Sequence, residues 1–250
     1  MSGKMKLILK IAVCLVLVTV MGISALRISE TQAQYEKEEL LHQSLLVYKP
    51  ISLKSGNVEF KEPGEPSTVA LLRMQYPNVV GWITIPGTRI DYPFMQAEDN
   101  DQYLDTDING DYLFAGSIFL DYRCLPDLSL YNSVIYGHNM NNSSMFGTLP
   151  SFRDSEFFEQ ITEGMVYLEE TEYRLEIFAC ILTNNYDGMV YNSLQNTSEE
   201  KTDFLQHIKD NATQYREIGV SENDRFLTLS TCSYEFADAR TVVIGRLAEI

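Results

Sequence analysis

The sequence predicts a mainly β fold with peripheral helices, preceded by one apolar N-terminal helix. Three observations predict it. Short runs rich in β-branched and aromatic residues recur between Gly, Pro, Asn and Asp turns. Only two internal stretches, residues 145–160 and 198–215, read as helical insertions, and residues 11–26 form an apolar run without a charge. The chain has 250 residues, 45% hydrophobic and 11% aromatic, which is enough for one substantial core and unlike a disordered composition.

Between Met5 and Leu26 only Lys10 is charged. About 20 apolar residues span a bilayer core, so this segment reads as a membrane helix whose Lys10 snorkels to the head groups. Lys4, Lys6 and Lys10 lie upstream, which under the positive-inside preference keeps the N-terminus cytoplasmic and the remainder outside. A cleaved signal peptide is the alternative, since Gly22, Ser24 and Ala25 are small enough for a cleavage site. Residues 35–48 predict a helix with Leu41, Leu45 and Tyr48 on one face and acidic residues near its start. The linker at residues 49–66 carries Pro50, Gly56, Pro63, Gly64 and Pro66. Ser67 then caps a short helix through Tyr76, which Pro77 ends.

Strands follow. Residues 79–85, a Pro86-Gly87 turn and residues 89–95 predict a hairpin, and runs 116–122, 133–136, 165–169, 173–183, 225–231 and 241–247 complete eight strand candidates. The domain organisation is therefore 1–27 cytoplasmic start and anchor, 28–66 helix and linker, and 67–250 a single β domain.

Lys4, Lys6, Lys10 and Arg27 are the only charges before Ile28, which leaves the rest of the chain at −20 against a total of −16. So acidic a domain offers no basic face to phosphates, which excludes a nucleic-acid binder. Of four cysteines, Cys14 lies in the apolar segment, Cys180 sits in a buried-looking run and Cys124 in a loop. Spacing gives no positive reason for a Cys124–Cys180 bridge. The stretch Asp105-Thr106-Asp107-Ile108-Asn109-Gly110-Asp111 opens like a calcium loop, but its twelfth position is Gly116 where a bidentate Glu is needed. It reads as a solvated turn. No metal site, Gly-rich nucleotide loop or G-x-S-x-G elbow is present, and no cofactor is called for.

His42 and His207 fall on polar helix faces and are expected to be solvent-exposed. His138 follows the strand Ser133-Val134-Ile135-Tyr136 and Gly137, at a strand end where scaffolds display functional groups. Cys232 ends the run Phe226-Leu227-Thr228-Leu229-Ser230-Thr231, and Arg240 begins the last strand eight residues later. Pairing of those two strands as a hairpin brings Cys232 and Arg240 together. An ordinary cysteine, of pKa about 8.5, is mostly thiol at neutral pH and gains thiolate from a cationic neighbour. An imidazole protonates a leaving amine and deprotonates an incoming one, and a guanidinium stabilises an oxyanion. Cys232, His138 and Arg240 therefore describe acyl transfer through a thioester.

Thr228-Leu229-Ser230-Thr231-Cys232 with Arg240, and Tyr136-Gly137-His138-Asn139, resemble the signatures of sortases, the cysteine transpeptidases of Gram-positive surfaces. The stretch Val80-Gly81-Trp82-Ile83-Thr84-Ile85-Pro86-Gly87-Thr88-Arg89-Ile90-Asp91-Tyr92-Pro93, Asn100 with Tyr103-Leu104, and Gly116-Ser117-Ile118-Phe119-Leu120-Asp121 resemble class B in particular. The resemblance covers roughly residues 35–247. It implies an eight-stranded sortase-type β-barrel with two N-terminal helices, Cys232 as nucleophile, His138 as acid/base and Arg240 as oxyanion partner. It further implies that Asn100, Leu104, Ser230 and Thr231 contact the substrate. The implied partners are surface proteins with a C-terminal sorting signal, cleaved after Thr, and an amine of peptidoglycan or its lipid-linked precursor, with the enzyme held in the cell membrane facing the wall. Signals such as N-P-x-T-x or L-P-x-T-G, and pilin clients, all fall within class B behaviour. Two other classes remain on the residues alone. A secreted cysteine endopeptidase shares the chemistry, although His138 precedes Cys232, opposite to the papain order. A non-catalytic surface binding module would leave Cys232 an inert thiol.

Overall fold

Eight strands close on themselves around one core in the computed structural model, which describes residues 3–50 and 67–250. The predicted linker segment 51–66 lies outside the described residues. The chain divides into two units, Met1–His42 and Gln43–Ile250.

The first unit is helical. A single α-helix, α1, covers Gly3–Leu45, about 65 Å at 1.5 Å per residue. The segments predicted separately at 11–26 and 35–48 are thus one helix. Its continuity has a simple reason: Arg27 to Gln34 contains neither Pro nor Gly to stop it. The apolar stretch that includes Val16, Leu17, Val18 and Met21 is exposed along its length and is long and apolar enough to cross a bilayer.

In the second unit, α2 (Thr68–Gln75) is capped by the Ser67 side chain, which accepts from the Ala70 N–H at 3.0 Å, and it buries Val69 and Leu72. The strands are β1 (Val79–Thr84), β2 (Asp91–Met95), β3 (Ile118–Leu120), β4 (Asn132–Tyr136), β5 (Glu163–Tyr167), β6 (Glu172–Asn184), β7 (Ala212–Tyr215), β8 (Phe226–Cys232) and β9 (Ala239–Glu249). Following hydrogen bonds around the sheet gives β1-β2-β3-β4-β8-β9-β6-β5 and back to β1, an eight-stranded closed barrel. Closure removes the unpaired edges that an open sheet would present. β2–β3 and β4–β8 are parallel and the other pairs antiparallel. The ninth strand, β7, continues the edge of β6 beyond the stretch that pairs with β5.

β7 falls in the stretch 198–215 read as helical from sequence. Helix α4 (Ser198–Asn211) ends sooner, and Ala212–Tyr215 pairs with Ala179–Ile181 while the Tyr215 ring meets Phe178 edge-on at 5.9 Å. Tertiary pairing decides a segment whose own preferences are weak. The 145–160 insertion likewise shortens to α3 (Ser155–Gln160), because Pro150 and the turn before it support only a 3-10 turn at Leu149–Arg153.

Trp82, Phe94, Phe178 and Phe226 are fully buried in the barrel unit. On one flank Phe204 and Ile208 of α4 join Tyr131, Phe178 and Phe226. A capping box fixes the start of α4, with the Thr197 side chain accepting from the Glu200 N–H and the Glu200 carboxylate from the Thr197 N–H. This flank carries the long loop between β6 and α4 to the mouth of the barrel.

Candidate active site

Strand register brings the three chemical residues together. In the parallel pair, Tyr136 of β4 lies opposite Ser230 of β8, so His138, two residues beyond, is level with Cys232, two residues beyond Ser230. In the antiparallel pair, Cys232 lies directly opposite Arg240 of β9. Neighbouring strands run about 4.8 Å apart, so His138, Cys232 and Arg240 form a row across three adjacent strands. All three line one groove of about 490 Å³, a volume suited to a short peptide segment.

Local bonds pin the row. The Gly137 N–H donates to the Ser230 carbonyl at 3.2 Å and the Thr231 hydroxyl donates to the Gly137 carbonyl at 2.7 Å. The Asn139 amide donates to the Cys232 carbonyl at 2.9 Å. Gly137 must be glycine for packing: a Cβ there would stand 2.4 Å from Ile118 Cδ1 and 2.8 Å from the Phe146 ring. His138 Nε2 lies 2.7 Å from the Leu104 carbonyl oxygen. A carbonyl only accepts, so Nε2 carries the hydrogen and the neutral ring presents its lone pair at Nδ1. The Leu104 carbonyl is itself set by Gly116, at φ +56°, where a Cβ would come within 2.5 Å of that oxygen.

The four residues expected to contact substrate also line the groove. Leu104 offers an open apolar side chain, 43% exposed. Ser230 and Thr231 are buried, and their hydroxyls engage Tyr191 Oη at 2.9 Å and the Gly137 carbonyl. The Asn100 amide donates to Asp121 at 3.0 Å and accepts from the Tyr122 N–H at 3.0 Å.

Sequence reading missed the group that organises this end of the groove. Asp121, with no solvent exposure, accepts from Arg123 Nε at 2.8 Å and Nη2 at 2.7 Å, and from Tyr136 Oη at 2.9 Å. The Arg123 Nη2 also donates to the Tyr191 carbonyl at 3.2 Å, and the Tyr136 and Tyr191 rings stack at 6.2 Å. Burial alone would raise the Asp121 pKa, but the bonds from Arg123, Asn100 and Tyr136 outweigh it and hold the carboxyl below the ordinary Asp value of about 3.9. A carboxyl depressed by folding stabilises the native state fully above its unfolded value and loses that contribution as pH falls through the folded one. Urea unfolding of wild type and Asp121→Asn should therefore differ most near neutrality and converge as pH drops below about 4.

The other histidines depart from expectation. His42 is partly buried, and His207 is half-buried with Nε2 3.0 Å from Asp187. Asp187 also accepts from the Thr183 hydroxyl at 2.7 Å and the Val190 N–H at 3.3 Å, so α4 steadies the loop that bears Tyr191. Cys124 and Cys180 are buried free thiols, both with pKa pushed up by burial, Cys180 to about 12. In the acidic loop the Asp107 carboxylate accepts from the Asn109 and Asp111 N–H groups at 2.8 and 3.0 Å, the bonding of a closed turn.

The sortase domain family matches residues 83–248. The chain belongs to the sortase family. Sortase B of Listeria monocytogenes is 37% identical over 172 residues, covering 68% of this chain and 70% of that protein. Sortase B of Staphylococcus aureus is 28% identical over 239 residues, covering 94% and 95%. Among solved structures, sortase B from Bacillus anthracis matches with a TM-score of 0.76 at 30% identity, covering 87% of this chain and 99% of that one. A Streptococcus pyogenes class B sortase involved in pilus biogenesis matches with a TM-score of 0.63 at 39% identity, covering 69% and 93%. The chain is a class B sortase, and sortases are cysteine transpeptidases that act on sorting-signal-bearing surface proteins and cell-wall precursors. Membership favours transpeptidation over the secreted cysteine endopeptidase and the non-catalytic binding module.

Proposed function

We propose that this sortase cleaves a C-terminal sorting signal after Thr through a thioester on Cys232, and passes the acyl group to an amine of peptidoglycan or its lipid-linked precursor. The observation that carries the assignment is the common level of His138 just past β4, Cys232 on β8 and Arg240 on β9. The Cys232 thiol gives its proton to His138 Nδ1, the resulting thiolate attacks the Thr carbonyl carbon, and the carbonyl oxygen takes up the negative charge beside Arg240. As the tetrahedral intermediate collapses, the C–N bond breaks and the leaving nitrogen takes a proton from the imidazolium at Nδ1. The acceptor amine then attacks the thioester carbonyl, His138 Nδ1 takes its proton, and Cys232 leaves as thiolate. Asn100, Leu104, Ser230 and Thr231 shape the groove for the acyl half, Leu104 by direct apolar contact and the other three by holding its walls.

The helix α1 anchors this sortase, with Lys4, Lys6 and Lys10 cytoplasmic and the barrel facing the wall. In this reading residues 1–27 are start and anchor, 28–66 helix and linker, and 67–250 the catalytic domain.

The test supplies full-length protein in detergent with sorting-signal peptides, with and without an amine acceptor, and reads enzyme and peptide masses. An acyl adduct on Cys232 and a ligated product are expected, and hydrolysis alone across a panel of amines would overturn transfer. Arg240→Lys should lower the rate of acylation about 10²–10³-fold with little change in KM, because the lost donors act on charge that develops in the transition state. An unchanged acylation rate would remove Arg240 from the mechanism.

A further inference from the structure

Beneath the β8–β9 hairpin runs a chain of hydrogen bonds that ends on Arg240. Cys232 and Arg240 line the groove, and successive residues of a strand point to opposite faces, so Ser233 and Thr241 turn away from it and are buried. The Ser233 N–H donates to the Ala239 carbonyl at 2.9 Å, and Arg240 Nη1 donates to the same oxygen at 3.0 Å. One carbonyl, using both lone pairs, thus ties the guanidinium to the residue after Cys232. The Ser233 hydroxyl accepts from the Thr241 hydroxyl at 3.2 Å and donates to the Glu235 carboxylate, whose other oxygen accepts from Arg153 Nη1. Arg153 is itself held in the 3-10 turn before α3. Its Nε donates to the Pro150 carbonyl at 3.2 Å, and its own carbonyl accepts from the Gln214 amide at 2.9 Å.

The turn that joins β8 to β9 has little else to fix it. Residues 234–238 are exposed, and Glu235 makes the only side-chain hydrogen bonds of that stretch among the described residues. The backbone closes through Asp238 at φ +58°, and the Asn185 N–H donates to the Asp238 carbonyl at 3.2 Å. Ser233 and Arg153 hold the Glu235 carboxyl down to about 2, so it is ionised at neutral pH. None of Arg153, Ser233 and Glu235 lines the groove, so their route to the reaction runs through the backbone of β8 and β9. At its far end the Ala239 carbonyl is the one acceptor that holds the Arg240 guanidinium among the described residues. An oxyanion donor works through fixed position, and a displacement of about 1 Å lowers a rate by about 10²-fold.

We propose that Glu235 is a positioning residue for Arg240: braced by Arg153, it fixes Ser233, and through the Ala239 carbonyl it sets where the guanidinium meets the developing oxyanion. The proposal rests on the mechanism above, in which Arg240 faces the carbonyl oxygen of the acylated Thr.

The experiment uses full-length protein in detergent carrying Glu235→Ala, Arg240→Lys or both. Single-turnover acylation is followed by mass on the faster of two peptides, Asn-Pro-Ala-Thr-Gly and Leu-Pro-Ala-Thr-Gly. Glu235→Ala should lower the acylation rate about 10–50-fold with KM within about twofold of wild type. Iodoacetamide should alkylate Cys232 in this variant within about twofold of the wild-type rate, because the Asn139 bond still holds the Cys232 backbone. In the Arg240→Lys background the same substitution should lower the rate by less than about twofold more, since the fork it positions has gone. Arg153→Gln, outside the turn, should show the same pattern more weakly, and it decides the matter where Glu235→Ala folds poorly. An unchanged acylation rate, a fall carried by KM, or falls that multiply in the double variant would overturn the assignment. If Arg240→Lys alone acylates at the wild-type rate, the role of Arg240 itself fails and the proposal with it.

Discussion

Cys232→Ala is expected to abolish both peptide cleavage and amine ligation, with a fall in turnover of about 10⁴-fold or more. The size follows from the role: without sulfur at this position there is no bond to carry the acyl group between the two half-reactions, and water attack on the uncut amide must proceed unaided. The other thiols offer no substitute, since Cys124 and Cys180 are buried away from the groove and Cys14 belongs to α1. Thermal unfolding should change little, because Cys232 is only half-buried and its backbone bond to Asn139 survives the substitution. Mass spectrometry after incubation with peptide, together with a melting curve, decides the matter: an adduct on the variant would remove Cys232 as the nucleophile.

His138→Ala is expected to lower acylation and transfer together by about 10²–10⁴-fold, the usual range for losing a positioned acid/base. In the proposed mechanism the ring does two jobs in sequence through one atom, so both half-reactions suffer. His138→Gln separates shape from proton transfer, since its amide N–H still reaches toward the Leu104 carbonyl without an exchangeable imidazole proton. It should keep the fold of the groove and be almost as slow as the alanine variant. Single-turnover acylation measured across pH is the deciding readout: a variant that retains the wild-type rate and pH profile would exclude general acid/base action by His138.

Much of the barrel is legible in the sequence because β-branched runs and turn residues are local signals. Residues 79–85, 225–231 and 241–247 match β1, β8 and β9 within two residues at each end. β7 was not legible, because Ala212–Tyr215 follows directly from helical text and owes its conformation to the edge of β6. Nor was the merger of the two N-terminal helical segments, since nothing in Arg27 to Gln34 marks either a break or a join. In the groove, His138, Cys232 and Arg240 stood out by chemical type at strand ends. Asp121 and Arg123 did not, because an acid and a base two residues apart look like an ordinary exposed pair until β3, the Asn100 loop and Tyr136 are brought around them. Tyr191 belongs to no motif read from the sequence, and its bonds to Ser230 and Arg123 with its stack on Tyr136 mark it as part of the wall.

The parallel pairing of β4 with β8 has a consequence for the order of events after synthesis. Gly137 and Thr231, bonded across that pair, are 94 residues apart in the chain. Contacts of such long separation form late, since the closure entropy of the intervening segment must be overcome before they contribute. Cys232 and His138 therefore come level only after β8, late in the chain, has paired with β4. In unfolded and partly folded chains Cys232 and His138 lie far apart, so the pair proposed to act together exists only once β4 and β8 have paired.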